Sequence, residues 1–329
     1  MNWLCVGTGD IVTKRAADAL ATADESQLVS ICGGRGRAQI IANEHNAPQV
    51  FSDLDEALAK TTADAVYIGT PVDRHCSEAT ASIRAGKHVL VEKPLGLSGD
   101  DAQAIADQAM QAGVTAGCAY YRRTFPRYEH LRKLIIDGVL GRIVFVRTAY
   151  WGWFSPRPDD PKWWRVQKAR SGGGPLMDMG SHMFDLLIGL FGLPTSVFAQ
   201  CETLANDYEV EDSATIAMTM ADGIQASAQF GWNSKTWRHE LEVVGTEGKV
   251  LWLPADMGNV VVTIGRDVQE VDLPNSDNVH QPLVTDFTAA VAEGRSPVCP
   301  VHEAVKTNRL IDAIYLSAQS GRTQVPKGI

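Results

Sequence analysis

The hydrophobic pattern changes once along this chain of 329 residues. In roughly the first 120 residues, short apolar runs such as WLCVG, QLVSICGG, AVYIGTP and HVLVEKP alternate with helical patterns such as AQIIANEH and DAQAIADQAMQAG. The runs are nearly continuous in apolar residues, which is typical of strands that helices cover on both faces. Strands that alternate with helices in this way predict βαβ units and a parallel sheet.

From about residue 142 the pattern becomes strand-rich, and apolar and polar residues alternate in runs such as SATIAMTMADG and HELEVVGTEG. This alternation predicts an antiparallel sheet. Two helical patterns near the end, PLVTDFTAAVAEG and HEAVKTNRLIDAIYLSAQSG, each stop at glycine. We therefore predict an α/β protein. A Rossmann-type parallel-sheet domain covers residues 1–121, and an α+β domain with a large, mainly antiparallel open sheet covers residues 122–329. The C-terminal helices are candidates to pack back on the first domain.

Composition narrows the class of protein. With 45% hydrophobic and 21% charged residues, the chain has an ordinary globular composition. The net charge of -9 and the lack of basic clusters argue against nucleic acid as a partner. The six cysteines form no C-x-x-C pair, which suits a reducing compartment. No leader-like or membrane-spanning apolar stretch is seen, so we expect a cytoplasmic protein that does not interact with a membrane.

The segment LCVGTGDIV is a candidate nucleotide-binding turn. It places Gly7 and Gly9 between the first strand and the first helix, where backbone amides and the helix dipole favour a pyrophosphate. Val12 stands where the usual fingerprint has a third glycine, so the motif alone also fits a tight turn that binds nothing. The βα repeats that follow favour a dinucleotide site. Its predicted contacts in this turn are Gly7, Thr8, Gly9, Asp10 and Ile11.

The end of the second predicted strand bears on which dinucleotide binds. An acid there would bind the ribose 2′-hydroxyl of NAD, whereas an arginine accepts the 2′-phosphate of NADP. The segment SICGGRGRAQ has no acid and contains Arg35 and Arg37. These residues predict NADP, with NAD as the alternative. The alternative is that both arginines are merely solvated at a helix start.

Two further motifs contain side chains that are candidates for a catalytic role. HVLVEKPLGLS puts Glu92 and Lys93 at the carboxyl end of a predicted strand, the edge of a parallel sheet where ligands collect, although lysines in loops are usually just exposed. GGGPLMDMGSH sets Asp178 four residues before His182, so a helix here would put both on one face. Asp178, His182 and Asp185 could hold zinc, but no cysteine or second histidine stands at ligand spacing, so we expect no metal.

Together these motifs resemble the glucose-fructose oxidoreductase and myo-inositol dehydrogenase family, also called Gfo/Idh/MocA. The matching segments are VGTGDI, AVYIGTPVDRH, IRAGKHVLVEKPL, YYRR, GRIVFVR, GGGPLMDMGSHMFDLL, VVGTEGKV and DFTAAVAEGRSPVCPVHEAV. They follow the family order from residue 4 to past residue 300. The resemblance implies an NAD(P)-dependent oxidoreductase that transfers a hydride between the nicotinamide and a secondary alcohol or carbonyl of a sugar, sugar derivative or polyol.

The resemblance also implies roles for three residues. His182 would shuttle the proton of the substrate hydroxyl, which suits an imidazole that titrates near neutral pH. Lys93 would polarise the substrate oxygen and orient the nicotinamide. Asp178 would bind a substrate hydroxyl or fix the imidazole. Which of Lys93 and His182 carries the proton is open at this point.

Further contacts complete the predicted site. The cofactor set also includes Thr70, Pro71, His75, Glu92 and Lys93, and the substrate set is Tyr121, Trp164, Arg165, Asp178 and His182. His75 equally suits a capping or buried role. Arg122 and Arg123 either bind an acidic substrate or support the site. The tryptophan-rich segment YWGWFSPRPDDPKWWRV either stacks on a substrate or forms an interface, and its WR pair resembles the anhydrofructose reductase branch of the family.

The broad sheet predicted for the second domain needs a cover on its open face. Members of the family commonly pair through this sheet, so we expect a homodimer or homotetramer. Two other functions remain alternatives. One is a non-catalytic NAD(P)-binding sensor, and the other is a glycosidase that uses bound NAD only transiently.

Overall fold

The computed structural model describes residues 1–327, apart from the side chain of Arg35. Internal contacts divide the chain into two units. Unit 1 comprises Met1–Thr124 and Ser276–Val305, and unit 2 comprises Phe125–Asn275 and the chain from Lys306 onward. The chain therefore returns to the first unit after residue 275.

Fourteen strands and ten α-helices are defined within the described residues. The strands are β1 (Asn2–Val6), β2 (Gln27–Cys32), β3 (Gln49–Phe51), β4 (Ala65–Ile68), β5 (His88–Val91), β6 (Ala116–Cys118), β7 (Ile143–Trp153), β8 (Ser196–Glu202), β9 (Ser213–Thr219), β10 (Gln225–Gly231), β11 (Asn233–Gly245), β12 (Gly248–Trp252), β13 (Val260–Ile264) and β14 (Asp267–Val271). The helices are α1 (Ala17–Thr22), α2 (Arg35–Glu44), α3 (Leu54–Lys60), α4 (His75–Arg84), α5 (Gly99–Ala112), α6 (Pro126–Ile136), α7 (Lys168–Ser171), α8 (Ser181–Phe191), α9 (Gln281–Glu293) and α10 (Val301–Ser320). Single π-helical turns, Val12–Ala16 and Leu176–Gly180, lead directly into α1 and α8.

Unit 1 contains a six-stranded sheet in the order β3-β2-β1-β4-β5-β6, and its strand pairs are parallel. Strands β1, β4 and β5 are buried along almost their whole length, as their continuous apolar runs predict. The parallel Rossmann-type sheet is confirmed. The direction of winding changes between β1 and β4, and such sheets bind ligands beside this point, at the carboxyl ends of the strands.

Unit 2 contains an eight-stranded sheet in the order β14-β13-β12-β11-β7-β10-β9-β8. Its strand pairs are antiparallel except for β7 and β10, which run parallel. In β9 the buried residues Ala214, Ile216 and Met218 alternate with exposed or partly exposed ones, which is the predicted pattern of a sheet with one covered face. The mainly antiparallel sheet is therefore confirmed. Pairing of subunits through this sheet stays a prediction.

The ends of the last two helices follow the sequence prediction. Gly294 and Gly321 have φ values of 68° and 62°, and they follow α9 and α10 directly. Such left-handed residues end helices at little cost when they are glycine. None of the helices in the described residues is both long and apolar enough to cross a membrane.

Candidate active site

The turn after β1 has a backbone that only glycine accommodates. Gly7 has a φ of 112°, and a Cβ atom there would lie 2.6 Å from the carbonyl oxygen of Gly69, which follows β4. At Gly9, in contrast, a Cβ atom would have no neighbouring heavy atom within 4 Å. The carbonyl of Gly9 accepts hydrogen bonds from the amides of Val12 and Thr13 as the helical segment begins. A helix start with open space beside it fits the pyrophosphate of a dinucleotide.

Val12 occupies the position of the third glycine of the fingerprint, and its packing explains why no glycine is needed there. That glycine normally permits close packing of the helix on the strands. Here Val12 is fully buried, and a Cβ atom on Gly69 would lie only 2.7 Å from its Cγ2 atom. The close approach is therefore made possible by a glycine after β4 instead of one in the helix.

The end of β2 lies beside the same turn. A Cβ atom on Gly33 would lie 2.6 Å from Cγ2 of Thr8, so these two segments are packed together. Arg37 is exposed in the first turn of α2, while the side chain of Arg35 lies outside the described part of the structure. The nearby Asp10 forms an exposed ion pair with Lys14 at 2.9 Å.

The loops after β4 and β5 are joined by a buried histidine. The Nδ1 and Nε2 atoms of His75 each lie 2.9 Å from a carbonyl oxygen, that of Pro94 and that of Thr70 respectively. Burial lowers the pKa of His75, although the two carbonyls partly oppose this effect. The Thr70 hydroxyl donates to Glu78 at 2.5 Å. His75 thus fixes the backbone on which Thr70, Pro71 and Lys93 lie.

Glu92 is a buried carboxylate directly before Lys93. Its Oε1 atom accepts a hydrogen bond from the Tyr67 hydroxyl and lies 3.0 Å from Nε2 of His280. Its Oε2 atom accepts the backbone amide of Lys93 at 3.1 Å. Burial alone would raise the pKa of Glu92, but the hydrogen bonds from His280 and Tyr67 and the positive charge of Lys93 outweigh it, so the pKa lies below its usual value. Glu92 is therefore ionised at neutral pH.

Tyr121 covers the other side of this group. Its ring lies over the imidazole of His280, with 4.9 Å between the ring centroids, and Arg15 donates to its hydroxyl at 3.4 Å. Arg122 and Arg123 are both buried, 3% and 7% exposed. All of these contacts lie within unit 1.

In unit 2 the segment with Asp178 and His182 is helical, which is the condition under which their spacing places them on one face. Asp178 lies in the π-helical turn and His182 in the first turn of α8. Turns of this kind are frequent at functional sites. His182 is only 3% exposed, and Asp185, one turn further on, is buried within the same helix.

The glycine run before this helix is explained by two neighbours. A Cβ atom on Gly173 would lie 1.8 Å from the Tyr315 hydroxyl oxygen, and one on Gly174 would lie 2.0 Å from the carbonyl oxygen of Glu211. The Glu211 carboxylate accepts the amides of Gly174 at 3.0 Å and Leu176 at 3.2 Å, and the Tyr315 hydroxyl at 3.0 Å. Burial raises the pKa of Glu211, partly offset by these bonds. Glu211 thus anchors the start of the helical segment.

Asp178 forms an ion pair with one of the predicted substrate residues. Its Oδ2 atom lies 2.9 Å from a guanidinium nitrogen of Arg165, and both side chains are partly exposed. The Arg165 guanidinium lies over the ring of Trp164 at 5.5 Å. Trp164, Arg165 and Asp178 therefore form one cluster, in which the guanidinium contacts both the indole ring and the carboxylate.

The other tryptophans of this segment have different surroundings. Trp163 packs against a hydrophobic cluster that includes Val166 and Trp232. Trp151 and Trp153 lie under the cationic groups of Arg238 and Lys235, at 5.8 Å and 5.4 Å. Within the described residues, no group of three His, Cys, Asp or Glu side chains is arranged to hold a metal ion.

The structure thus places the predicted residues in two groups. The unit 1 group follows β1, β4 and β5 at the carboxyl edge of the parallel sheet and comprises the turn Gly7–Ile11, Thr70, Pro71, His75, Glu92 and Lys93. In unit 2, Arg165 contacts both Asp178 and the ring of Trp164. The sequence analysis missed Tyr67, His280 and Glu211. Tyr67 lies within the segment AVYIGTPVDRH, but nothing in that segment singles it out, and His280 and Glu211 belong to none of the motifs. Each of the three contacts its site residue through folding of segments that are distant in sequence.

A sheet of this strand order, with a glycine-shaped turn after its first strand, defines a Rossmann-type dinucleotide-binding protein. Family models agree over most of the chain. The model described as "Oxidoreductase family, NAD-binding Rossmann fold" matches residues 1–120, and that described as "GFO/IDH/MocA C-terminal domain" matches residues 128–251. The chain belongs to the Gfo/Idh/MocA family and is an NAD(P)-dependent oxidoreductase that acts on CH–OH groups.

Individual relatives match over nearly their full length. The 1,5-anhydro-D-fructose reductase of Ensifer adhaerens is 27% identical over 98% of this chain and 97% of its own. The D-xylose 1-dehydrogenase (NADP(+)) 2 of Haloferax volcanii is 29% identical over 96% of this chain and 97% of its own. Among solved structures, the aldose-aldose oxidoreductase from Caulobacter crescentus complexed with glycerol has a TM-score of 0.90 and 26% identity, with 99% of each chain covered.

Proposed function

We propose that this protein is an NADP-preferring oxidoreductase that transfers a hydride between the nicotinamide and a secondary alcohol or carbonyl of a sugar, a sugar derivative or a related polyol. One observation carries the proposal. Lys93 lies at the carboxyl edge of the parallel sheet, and Asp178 and His182 lie on one helical segment, in a chain whose relatives include a sugar reductase and a sugar dehydrogenase.

The chain's own residues account for the proton and for substrate orientation. The bound nicotinamide supplies or accepts the hydride. His182 removes the proton of the substrate hydroxyl during oxidation and returns it during reduction. Lys93 donates a hydrogen bond to a substrate oxygen and stabilises its developing negative charge. Asp178, which is paired with Arg165, accepts a hydrogen bond from another substrate hydroxyl, and Trp164 offers a face for the sugar ring.

The preference for NADP rests on the end of β2. No acidic residue stands between Cys32 and Ala38, where one would repel a 2′-phosphate, and Arg37 is exposed in the first turn of the following helix. An arginine there can bind the phosphate with two hydrogen bonds. The Haloferax volcanii relative named for NADP(+) supports the same assignment.

A spectrophotometric screen tests this proposal. The purified protein is assayed with NADPH and NADH, and in the reverse direction with the oxidised cofactors, against aldoses, ketoses, inositols, anhydro sugars and dihydrodiols. We expect turnover with one group of sugar-like substrates and tighter binding of NADPH than of NADH. Equal or tighter binding of NADH would contradict the cofactor preference. Binding of both cofactors without any change in absorbance would favour a sensor or a transient-redox enzyme.

A further inference from the structure

We infer that His280 is a positioning residue for Lys93, because it holds the Glu92 carboxylate in the orientation that binds the Lys93 backbone amide. The inference rests on the role proposed for Lys93. All of the residues involved belong to unit 1.

The two oxygens of Glu92 have separate partners. Oε1 accepts hydrogen bonds from both side-chain donors, the Tyr67 hydroxyl and Nε2 of His280, the latter at 3.0 Å. Oε2 accepts a hydrogen bond from the backbone amide of Lys93 at 3.1 Å. His280 is fully buried and Glu92 is 6% exposed, so water cannot readily replace a missing donor. The carboxylate therefore links the interior of the unit to the backbone of Lys93. Removal of the His280 donor leaves a buried charge that is less well compensated, and only the Tyr67 hydroxyl and the Lys93 amide then hold the carboxylate in place.

The segment before α9 is fixed so that His280 reaches Glu92. The Asn278 side-chain amide donates to the carbonyl of Arg15 and to the carboxylate of Asp18, both at 2.8 Å, and its oxygen accepts the amide of His280 at 3.0 Å. The ring of Tyr121 covers the imidazole on one face. His280 stands at the N-terminal cap position of α9, yet its side chain makes no capping hydrogen bond. Its side chain is directed to Glu92 and does not stabilise the helix end.

The charge state of the carboxylate follows from its surroundings. Tyr67, His280 and Lys93 hold Glu92 in its ionised form. Other titratable groups lie around this cluster. Tyr67 also faces the thiols of Cys5 and Cys118, and the charge of Glu92 acts on His75. Arg15 donates a hydrogen bond to Tyr121, whose ring covers the imidazole of His280. With Glu92 ionised, the ring proton of His280 must lie on Nε2 for the contact to be a hydrogen bond. Loss of this donor makes protonation of Glu92 easier as the pH falls.

The test compares His280→Leu with His280→Gln, whose side-chain amide can still donate to Glu92. We expect kcat of His280→Leu to fall about tenfold to hundredfold, because small displacements of a catalytic group have effects of this size. His280→Gln should recover most of that loss. The acid limb of the kcat profile should move to higher pH in His280→Leu, which a purely structural role would not cause. His302→Leu, at an exposed position in α10, is the matched control.

Two parallel variants separate the possible outcomes. Tyr67→Phe removes the other donor to the same oxygen and should lower kcat in the same direction, so it replaces His280→Leu if that variant does not fold. Lys93→Met with unchanged turnover would contradict the proposed function itself. A third outcome separates the two proposals. If Lys93→Met loses most of its turnover while His280→Leu and Tyr67→Phe keep the kcat and pH profile of the wild type, only the role of His280 is overturned.

Discussion

Replacing His182 with alanine is expected to lower kcat by about two to four orders of magnitude, the range typical for loss of a general acid or base. The affinity for NADPH should change little, because His182 is predicted to act on the substrate proton and is not among the predicted cofactor contacts. Steady-state kinetics gives kcat, and fluorescence titration of the reduced cofactor gives its Kd. His182 is 3% exposed on α8, so thermal unfolding of the variant must be measured alongside.

His302→Ala is the control for this experiment, since His302 is an exposed histidine in α10 and should tolerate the same change. A His182 variant with nearly normal kcat and a much higher Kd for NADPH would reassign His182 to cofactor binding. A large loss of kcat with an unchanged Kd would support its role with the substrate proton.

Replacing Gly174 with alanine is expected to destabilise the protein by about 1–3 kcal/mol or more, as overpacking of a tightly packed site does. The added Cβ atom would lie 2.0 Å from the carbonyl oxygen of Glu211, a backbone atom that cannot move aside alone. The shift would also disturb the bonds from the amides of Gly174 and Leu176 to the Glu211 carboxylate. Because this turn leads into the segment with Asp178 and His182, kcat should fall together with stability.

Urea unfolding and kinetics measure both effects. Gly152→Ala is the matched control within β7, because a Cβ atom there would meet its nearest neighbours at 3.5 Å, an ordinary contact distance. If Gly174→Ala unfolded at the same urea concentration as the wild type, the anchoring by Glu211 would be disproved.

The sheets could be predicted because burial leaves a periodic pattern in the sequence. The continuous apolar runs in β1, β4 and β5 reflect strands that are covered on both faces. The alternation in β9 reflects a strand that is covered on one face. The elements that were not predicted lack such a pattern. β3 has only three residues, all partly exposed, and four of the five residues of β14 at the sheet edge are exposed.

The residues of the candidate site also fall into two kinds, those that belong to local sequence motifs and those that act through contacts between distant segments. Gly7, Lys93, Asp178 and His182 belong to local motifs, so they can be chosen as candidates from a single sequence. The supporting residues act through pairs that are distant in sequence: His280 follows Glu92 by 188 residues, and Glu211 follows Gly174 by 37. The packing of Val12 against Gly69 is likewise visible only when β1 and β4 are neighbours. Such pairs have no signature in a single sequence.

The central claim is a net transfer of hydride from the reduced nicotinamide to the carbonyl carbon of a sugar-like substrate, which becomes a carbinol carbon. The most direct measurement uses NADPH with deuterium in both positions at C4 of the nicotinamide, and the carbonyl substrate that the screen identifies. The account predicts a product with deuterium at one carbinol carbon, formed in a one-to-one ratio with the oxidised cofactor, as mass spectrometry and NMR would show. A product without deuterium, or a cleaved glycosidic bond with the cofactor returned unchanged, would contradict it.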